Sequence, residues 1–506
     1  MLLNRKFIFE PLVIIPGAVL ALKGKVTNTG DSSWDNLSEK EGMYFRVGFR
    51  IYQEGECNAV IFESRFFFDQ KVVAQGGSIE FNTAFNISVF AKGRYVLFVN
   101  IVRESSFWFD DKGISSEQIK FEVEEPKKSN ICTSQILFIL PSVPQYDRSS
   151  GENRLFEIIK LCKRHKLKIK ILAERELDYP EAKKYYKAIK PLVVNYFEDQ
   201  YSFWKDFKRE KFSHCVISWY KLAEKYLGIF HCCMPEVKLI VDSVDVHWLR
   251  QERGVARGIL TIDKKILLNE KEEEKKVYQS ANEVWAVTQE DKNYILKELP
   301  DSQVRVVSNI HRKDRWYNCN LANKNGIIFV GSFNHPPNQS AALWGYDIFQ
   351  EFCKKTQYRP LHYIVGDNPP EELRRLHDGQ RIIVTGFVEN LHNYYKQSRV
   401  MIAPIKYGAG IKGKICHAIC NGLPVITTDA GNEGLGLIHG KEVLIANTTD
   451  EFVQCLEVVF SGKIDLKNIN RMALRKVLEK TSEKIVWKSI AESLDFNSKR
   501  KKVIRK

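Results

Sequence analysis

The sequence predicts an all-β sandwich followed by two doubly wound α/β domains in a chain of 506 residues. Three observations predict it. Up to about residue 125, turn signals ("NTGDSSW", "QEGEC", "AQGGS", "AKGRY", "DDKG") separate short β-rich runs, the punctuation of a sandwich. From "QILFILPSV" (Gln135–Val143) onward, short continuous apolar runs alternate with amphipathic helical stretches, as parallel strands buried on both faces require. That alternation occurs twice, on either side of the polar connector "RKDRWYNCNLANKNG" (312–326).

The elements follow in order. In "RYVLFVNIV", Tyr95, Leu97, Val99 and Ile101 share one strand face, and Val96, Phe98 and Val102 the other. "EEPKKSN" (Glu124–Asn130) is a polar linker with a proline. The first α/β domain, about 133–311, opens on "QILFILPSV" and a helix with Leu155, Ile158, Ile159 and Cys162 at helical spacing. It continues through "KIKILA", "KLIVDSVDV", "EVWAVT" and "QVRVVSNIH". The second, about 325–465, carries "IIFVGSF", "LHYIVGD", "RIIVTGF", "VMIAPI", "LPVITTD" and "EVLIAN". Residues 466–506 read as amphipathic helices and a basic tail. Two α/β domains in tandem place a ligand cleft between them.

Hydrophobic residues make up 44% and charged residues 27%, a globular balance. The net charge of +15 suits nucleic acid, an anionic membrane face or phosphate-bearing ligands. The basic residues are spread along the chain, without an arginine-rich arm, RNA-binding signature or zinc-finger spacing, so nucleic acid is not expected as a partner. The tail "KRKKVIRK" (Lys499–Lys506) reads as a solvated helix end or a weak anchor to anionic lipid. Eleven scattered cysteines point to free thiols in a reducing compartment. "FIFEPLVIIPGAVLAL" (Phe7–Leu22) is broken by Glu10 and two prolines and makes neither a membrane span nor a signal peptide. A cytoplasmic protein is expected, with peripheral contact to the inner membrane face as an option.

The chemistry concentrates in "KYGAGIKGKICHAICNGLPVITTDAGNEG" (Lys406–Gly434). Gly408–Lys414 fits the front of a P-loop, but Ile415 stands where a magnesium-holding Ser or Thr is needed. Cys416, His417 and Cys420 crowd one turn like metal ligands, but no convincing fourth ligand is near. A third reading explains more residues. A glycine-rich turn after a strand, then a helix start, presents backbone N–H groups to an anion, and Lys412 and Lys414 add charge. A departing diphosphate needs that stabilisation as negative charge builds on it.

The segment of about 327–455, from "IIFVGSFNHPPNQSAALW" through "HYIVGDNPP" and "IIVTGFVENLHNYYKQSRVMIAPIKYGAGIKGKICHAICNGLPVITTDAGNEGLGL" to "EVLIA", closely resembles the donor domain of family 4 glycosyltransferases. These are retaining enzymes built from two Rossmann-like domains, the GT-B fold. "LPSVPQYDRSSGENRLFEIIKLC", "VDSVDVHWLRQER" and "VWAVTQEDKNYI … VVSNIH" resemble the acceptor half, so the likeness spans about 135–480. It implies transfer, with retention and without metal, from a nucleoside-diphosphate sugar to a surface-glycan or lipid-linked acceptor.

The resemblance also implies roles. Gly331 and Ser332 approach the donor; Phe387 and Val388 flank the base; Gly408, Gly410, Lys412 and Lys414 cradle the diphosphate; Glu433 and Gly434 face the sugar nucleotide. On the acceptor side, Gly151 borders the cleft, and Asp245 and His247 approach the reacting sugar, with Lys414 the third catalytic candidate. Two departures stand out. His417 occupies the position of a ribose-binding Glu, and Ala409 that of the family's other Glu; the basic pair that many members carry after the first strand is absent from "GSFNHPPN". A weakened or inactive GT-B protein serving as a glycan-binding scaffold is therefore the alternative. In the first 125 residues, "VTNTGDSSW … GRYVLFVNIVRESSFWFDDKG" resembles immunoglobulin-like modules attached to bacterial surface-polysaccharide enzymes and exporters. There Trp34, Trp108 and Phe109 form either an aromatic sugar platform or, more commonly for such residues, sandwich core.

Overall fold

The computed structural model describes residues 5–496, apart from 16–18, 36–44, 57–58, 67–71, 88–89, 104–106, 110–113, 125–134, 194, 198–199, 208–210, 316, 319, 322 and 409. Ala409 and the basic tail thus lie outside the described residues.

The N-terminal region folds into two larger antiparallel sheets and a two-stranded one, Trp34–Asp35 with Val72–Val73. In one, the long strand Val19–Asn28 pairs with Arg5–Phe9 and Val13–Ile15 on one side and Ser78–Asn86 on the other. In the other, Gly93–Arg103 pairs with Phe45–Gln53, Phe107–Trp108 and Glu117–Val123. Side chains alternate across a strand, so Leu20, Leu22 and Val26 meet Val47, Phe49, Ile51, Leu97, Val99 and Ile101 in one core. The opposite face of Val19–Asn28 is buried as well: Val19 and Ala21 pack with Tyr201, Phe203 and Trp204 of the α/β unit that follows. The β region is therefore welded to the next domain by a shared apolar core. Trp34 and Phe109 are fully buried and Trp108 nearly so, with the Arg50 guanidinium 3.7 Å above the Trp108 ring. Burial rules out the surface sugar platform and leaves these rings as core.

The first parallel sheet has the spatial order Asn195–Phe197, Lys168–Ala173, Gln135–Leu140, His214–Ser218, Lys238–Asp242, Glu283–Ala286, Val304–Val306. The second runs Ile382–Val384, Leu361–Val365, Gly326–Val330, Ser398–Ala403, Val425–Thr427, Leu444–Ile445. Each winds outward in one direction from its first strand and then reverses. The crevice beyond the strand C-termini at that reversal is where such sheets hold ligands. Local signals set the helices. Ser149 caps the helix Ser150–Arg164 by accepting the Glu152 N–H at 3.2 Å, and Leu155, Ile158, Ile159 and Cys162 supply its buried face.

The last two helices tie the α/β units together. Leu466–Thr481 packs into the second core through Ile469, Ala473 and Val477. Glu483–Ser493 crosses back to the first through Val486 and Ile490, where Ser493 accepts the Trp285 Nε1–H at 2.9 Å. No described helix is long and apolar enough to cross a membrane. Among the described residues, no group of three or more His, Cys, Asp or Glu side chains is placed to hold a metal ion. Cys416 and Cys420 are free and buried in the second core.

Candidate active site

A cleft of about 1120 Å³ lies between the two parallel sheets, lined from both sides. On the second-domain side the strand Ser398–Ala403 leads past Tyr407, Gly408 and Gly410, which line the cleft, to the helix Gly413–Cys420. Gly410 holds φ +67°, a conformation that costs a residue with a Cβ but not glycine. The helix starts from Lys412 without a side-chain cap, which leaves first-turn N–H groups open to an anion. Gly413 is close-packed against the first domain: a Cβ there would sit 2.2 Å from Ser150 Oγ.

Lys414 points back under this turn. Its Nζ donates to Asn338 Oδ1 and lies 4.9 Å from the centre of the Phe329 ring. Burial, with the nearby Lys412 charge, pushes the ammonium down to about 7. Gly331 makes room for it, because a Cβ would lie 2.9 Å from Asn338 Cγ and 3.0 Å from Lys414 Nζ. Gly331→Ala should therefore cost about 1–3 kcal/mol of stability by overpacking and displace Lys414. Urea unfolding, with nucleotide titration of the same variant, checks this; unchanged values in both would show that the pocket yields freely. Lys412 donates to Gly410 O at 2.7 Å, and burial lowers its pKa against the opposing pull of Glu433 and Asp291.

On the first-domain side, Gly151 lies in the opening turn of its helix, where a Cβ would meet Val244 Cγ1 at 2.8 Å. Val244 and Trp219 carry positive φ, +61° and +68°, at the ends of adjacent strands and both line the cleft. Such residues store roughly 1–3 kcal/mol of strain each, which surrounding packing must hold. Below them Arg154 pairs with Asp242 at 2.6 Å and donates to Val307 O at 2.6 Å, all buried. Asp245 lines the cleft. Burial pushes its pKa up, but the His247 hydrogen bond at 2.9 Å and the Arg250 charge outweigh that and hold the carboxyl below its ordinary value.

The structure brings Gly151, Asp245, Gly331, Ser332, Val388, Gly408, Gly410, Lys412, Lys414 and His417 to one cleft. His247 is not among the residues that line the cleft: it bonds Asp245, which does, and stands edge-on to Tyr220. Phe387 stands beside Val388 beneath two cations of the other domain, Arg148 at 4.3 Å and Lys184 at 5.2 Å. Glu433 and Gly434 line a neighbouring cavity of about 410 Å³, which shares Tyr407 and Gly408 with the cleft.

Several site residues escaped the sequence reading. Arg253 crosses the domain boundary, donating to Gly408 O at 2.9 Å and pairing with Glu433 at 2.5 Å. Arg253 follows His247 and Arg250 at three-residue steps, a helical stripe that was legible as a pattern. His311 stands at the end of the first α/β domain, just before the connector. Its Nε2 is buried without a partner, and desolvation, with the His417 ring near it, pushes its pKa to about 3. His417 Nδ1 lies 3.0 Å from Tyr395 OH, and burial lowers its pKa too. Two neutral imidazoles thus lie together at the cleft, one of them at the position where the resemblance implies a Glu. Asp291 Oδ2 is buried without a hydrogen-bond partner beside the Gly410 turn, and desolvation raises it to about 6.

Residues 324–461 match the family of glycosyl transferases group 1. Every donor-side candidate from Gly331 to Gly434 falls within that glycosyl transferases group 1 segment, whereas Gly151, Asp245 and His247 fall outside it. An uncharacterised 44.6 kDa protein from the cps region of Klebsiella pneumoniae is 29% identical over 184 residues, 34% of this chain and 45% of that one. The chain thus spans less than half the length of that relative. Among solved structures, sucrose-phosphate synthase from Thermosynechococcus elongatus superposes with a TM-score of 0.54 at 12% identity, over 74% of this chain and 100% of that one. A glycosyltransferase from Rickettsia africae also gives 0.54, at 14% identity over 72% and 98%. Anabaena HepE in complex with UDP gives 0.54, at 14% identity over 71% and 99%. The likeness shows the fold: the paired α/β domains have the GT-B arrangement of glycosyltransferases.

Proposed function

We propose that the chain is a retaining glycosyltransferase that moves a sugar from a nucleoside-diphosphate sugar to a hydroxyl of a surface-glycan or lipid-linked acceptor in the cytoplasm. The carrying observation is Lys414: a desolvated ammonium beneath an uncapped helix start, bonded to a neutral amide rather than a carboxylate. A diphosphate supplies the missing counter-charge. HepE structures in complex with UDP and with UDP-glucose, and the cps-region relative, support the substrate class.

In this reading the anomeric C–O bond breaks and its electron pair leaves on the diphosphate. Lys412, Lys414 and the helix N–H groups meet that charge. The acceptor oxygen bonds the anomeric carbon on the same face, and its proton passes to the departing phosphate oxygen. Asp245, ionised, faces the acceptor side and orients the hydroxyl, with His247 and Arg250 as positioning residues behind it. Two lysines and a helix start supply the positive charge, so the proposal calls for no metal. The N-terminal region, read as an immunoglobulin-like module, acts as a brace on the acceptor domain.

A thermal-shift screen over nucleoside-diphosphate sugars in chelator tests the reading, because a ligand bound only by the native state raises the melting temperature. If no nucleotide binds at millimolar concentration by calorimetry, the scaffold alternative, which His417 in place of a Glu favours, takes its place.

The Lys414 environment also sets a pH dependence. Below about pH 7 the free protein already carries the charge; above it, diphosphate binding must first load a proton onto Lys414. The dissociation constant for UDP-glucose should therefore rise with pH above neutrality, approaching about tenfold per unit. Calorimetry in buffers of different ionisation enthalpy should show proton uptake at pH 8 and little at pH 6. A flat profile across this range would remove Lys414 from the diphosphate.

A further inference from the structure

The geometry points to a docking projection for an anionic lipid surface at the start of the helix Lys264–Ser280. Residues 261–269, "TIDKKILLN", are exposed apart from the half-buried Ile262 and Leu267. Ile266 is 53% exposed and Leu268 51%, among the most exposed large apolar side chains of the described residues. Two residues apart on a helix means about 200° of rotation, so these two side chains leave on opposite sides. Burial of this helix begins only at Glu274, Val277 and Tyr278. Its first turns therefore stand clear of the body.

The charge on the projection is positive. Lys264 and Lys265 are exposed there, and Arg257 is exposed just before it. Asp263 is engaged as the cap, its Oδ1 accepting the Lys265 N–H at 2.7 Å. The acidic residues lie further along and are taken up: Glu270 by Gln251, Glu272 by Lys275 and Glu273 by Lys221. A flat protein face would cover one side of such a projection. A fluid lipid surface closes around it, receiving the apolar side chains at the headgroup boundary while the lysines stay among the anionic headgroups.

The position is also apt. Arg257, just before the projection, lines the smaller cavity with Tyr407 and Gly408, and those two residues continue into the main cleft. Docking here brings the acceptor half of the cleft to the surface from which a lipid-linked sugar would come. That benefit rests on the lipid-linked reading of the acceptor; the docking itself needs no transfer reaction.

The full chain is sedimented with phosphatidylglycerol-containing vesicles and with phosphatidylcholine vesicles alone. Binding to the former, weakened by salt, is expected. The double variant Lys264→Glu, Lys265→Glu should lower partitioning at least about twentyfold, and Ile266→Ser, Leu268→Ser about tenfold or more. Both should bind UDP-glucose as the unchanged protein does, which shows that the body is folded. Wild-type failure to bind anionic vesicles overturns the proposal, and so does either double variant binding like wild type, which would move the contact elsewhere. Dimerisation abolished by these variants, without vesicle binding, would assign the projection to a second copy and likewise overturn it. Loss of UDP-glucose binding by the unchanged protein would refute the transferase reading instead, and the vesicle result would still stand.

Discussion

Lys414→Ala should cut transfer by about 10²–10³-fold, the usual effect of removing one preorganised group that stabilises developing charge. The lysine is desolvated, near a second cation, and bonded to the neutral side chain of Asn338. In the free protein it is a burden on the fold rather than a support. The alanine variant also leaves a cavity beside Phe329, so Lys414→Met is the companion: it keeps the volume and removes the charge. Its melting temperature should equal or exceed that of the unchanged protein, and its transfer should fall as far as the alanine variant's. Single-turnover rates at saturating donor make the measurement. Methionine turning over at the unchanged rate would take Lys414 out of the chemistry and leave it a packing residue.

The largest loss of stability is expected from Asp242→Ala, about 3–5 kcal/mol, because it strands a buried guanidinium. Arg154 and Asp242 are essentially without solvent contact, and Arg154 also holds Val307 O. The pair ties the first helix, the end of the strand Lys238–Asp242 and the residue after the strand Val304–Val306 beneath the strained Val244 and Trp219. The double replacement Arg154→Met, Asp242→Leu should regain most of the loss, since apolar side chains of similar size carry no desolvation cost. Denaturant unfolding followed by tryptophan fluorescence reads both variants. A single Asp242→Ala protein within about 1 kcal/mol of the unchanged one would mean that water reaches the arginine. The double variant also tests the site: if the pair positions Val244 and Asp245, transfer should stay low even where stability returns.

Much of this was legible because periodicity reports burial directly. Continuous apolar runs such as "QILFIL" and "VMIA" became central strands, and the spacing of Leu155, Ile158, Ile159 and Cys162 became a buried helix face. The strand His214–Ser218 went unread: its apolar run is only Cys215, Val216 and Ile217, too short to stand out, yet all five residues are buried. The glycines and helix start that line the cleft were legible because glycines, a strand end and two lysines are contiguous. His311, Arg253 and Asp291 were not, because their significance lies in what stands across the domain boundary from them.

By itself the sequence determined which segments become strands and helices, the order in which they build two α/β domains after a β region, and the glycine-rich passage into a helix start with two lysines at Gly408 to Lys414. These are local properties, carried by hydrophobic period, turn residues and helix-start chemistry. Only the tertiary structure decided which residues meet. It set His247 behind Asp245, turned Glu433 to Arg253, placed His311 beside His417, and welded the β region to the first α/β domain through Val19 and Ala21. The physical reason is that desolvation and pairing depend on neighbours from distant parts of the chain, and local pattern carries no record of them.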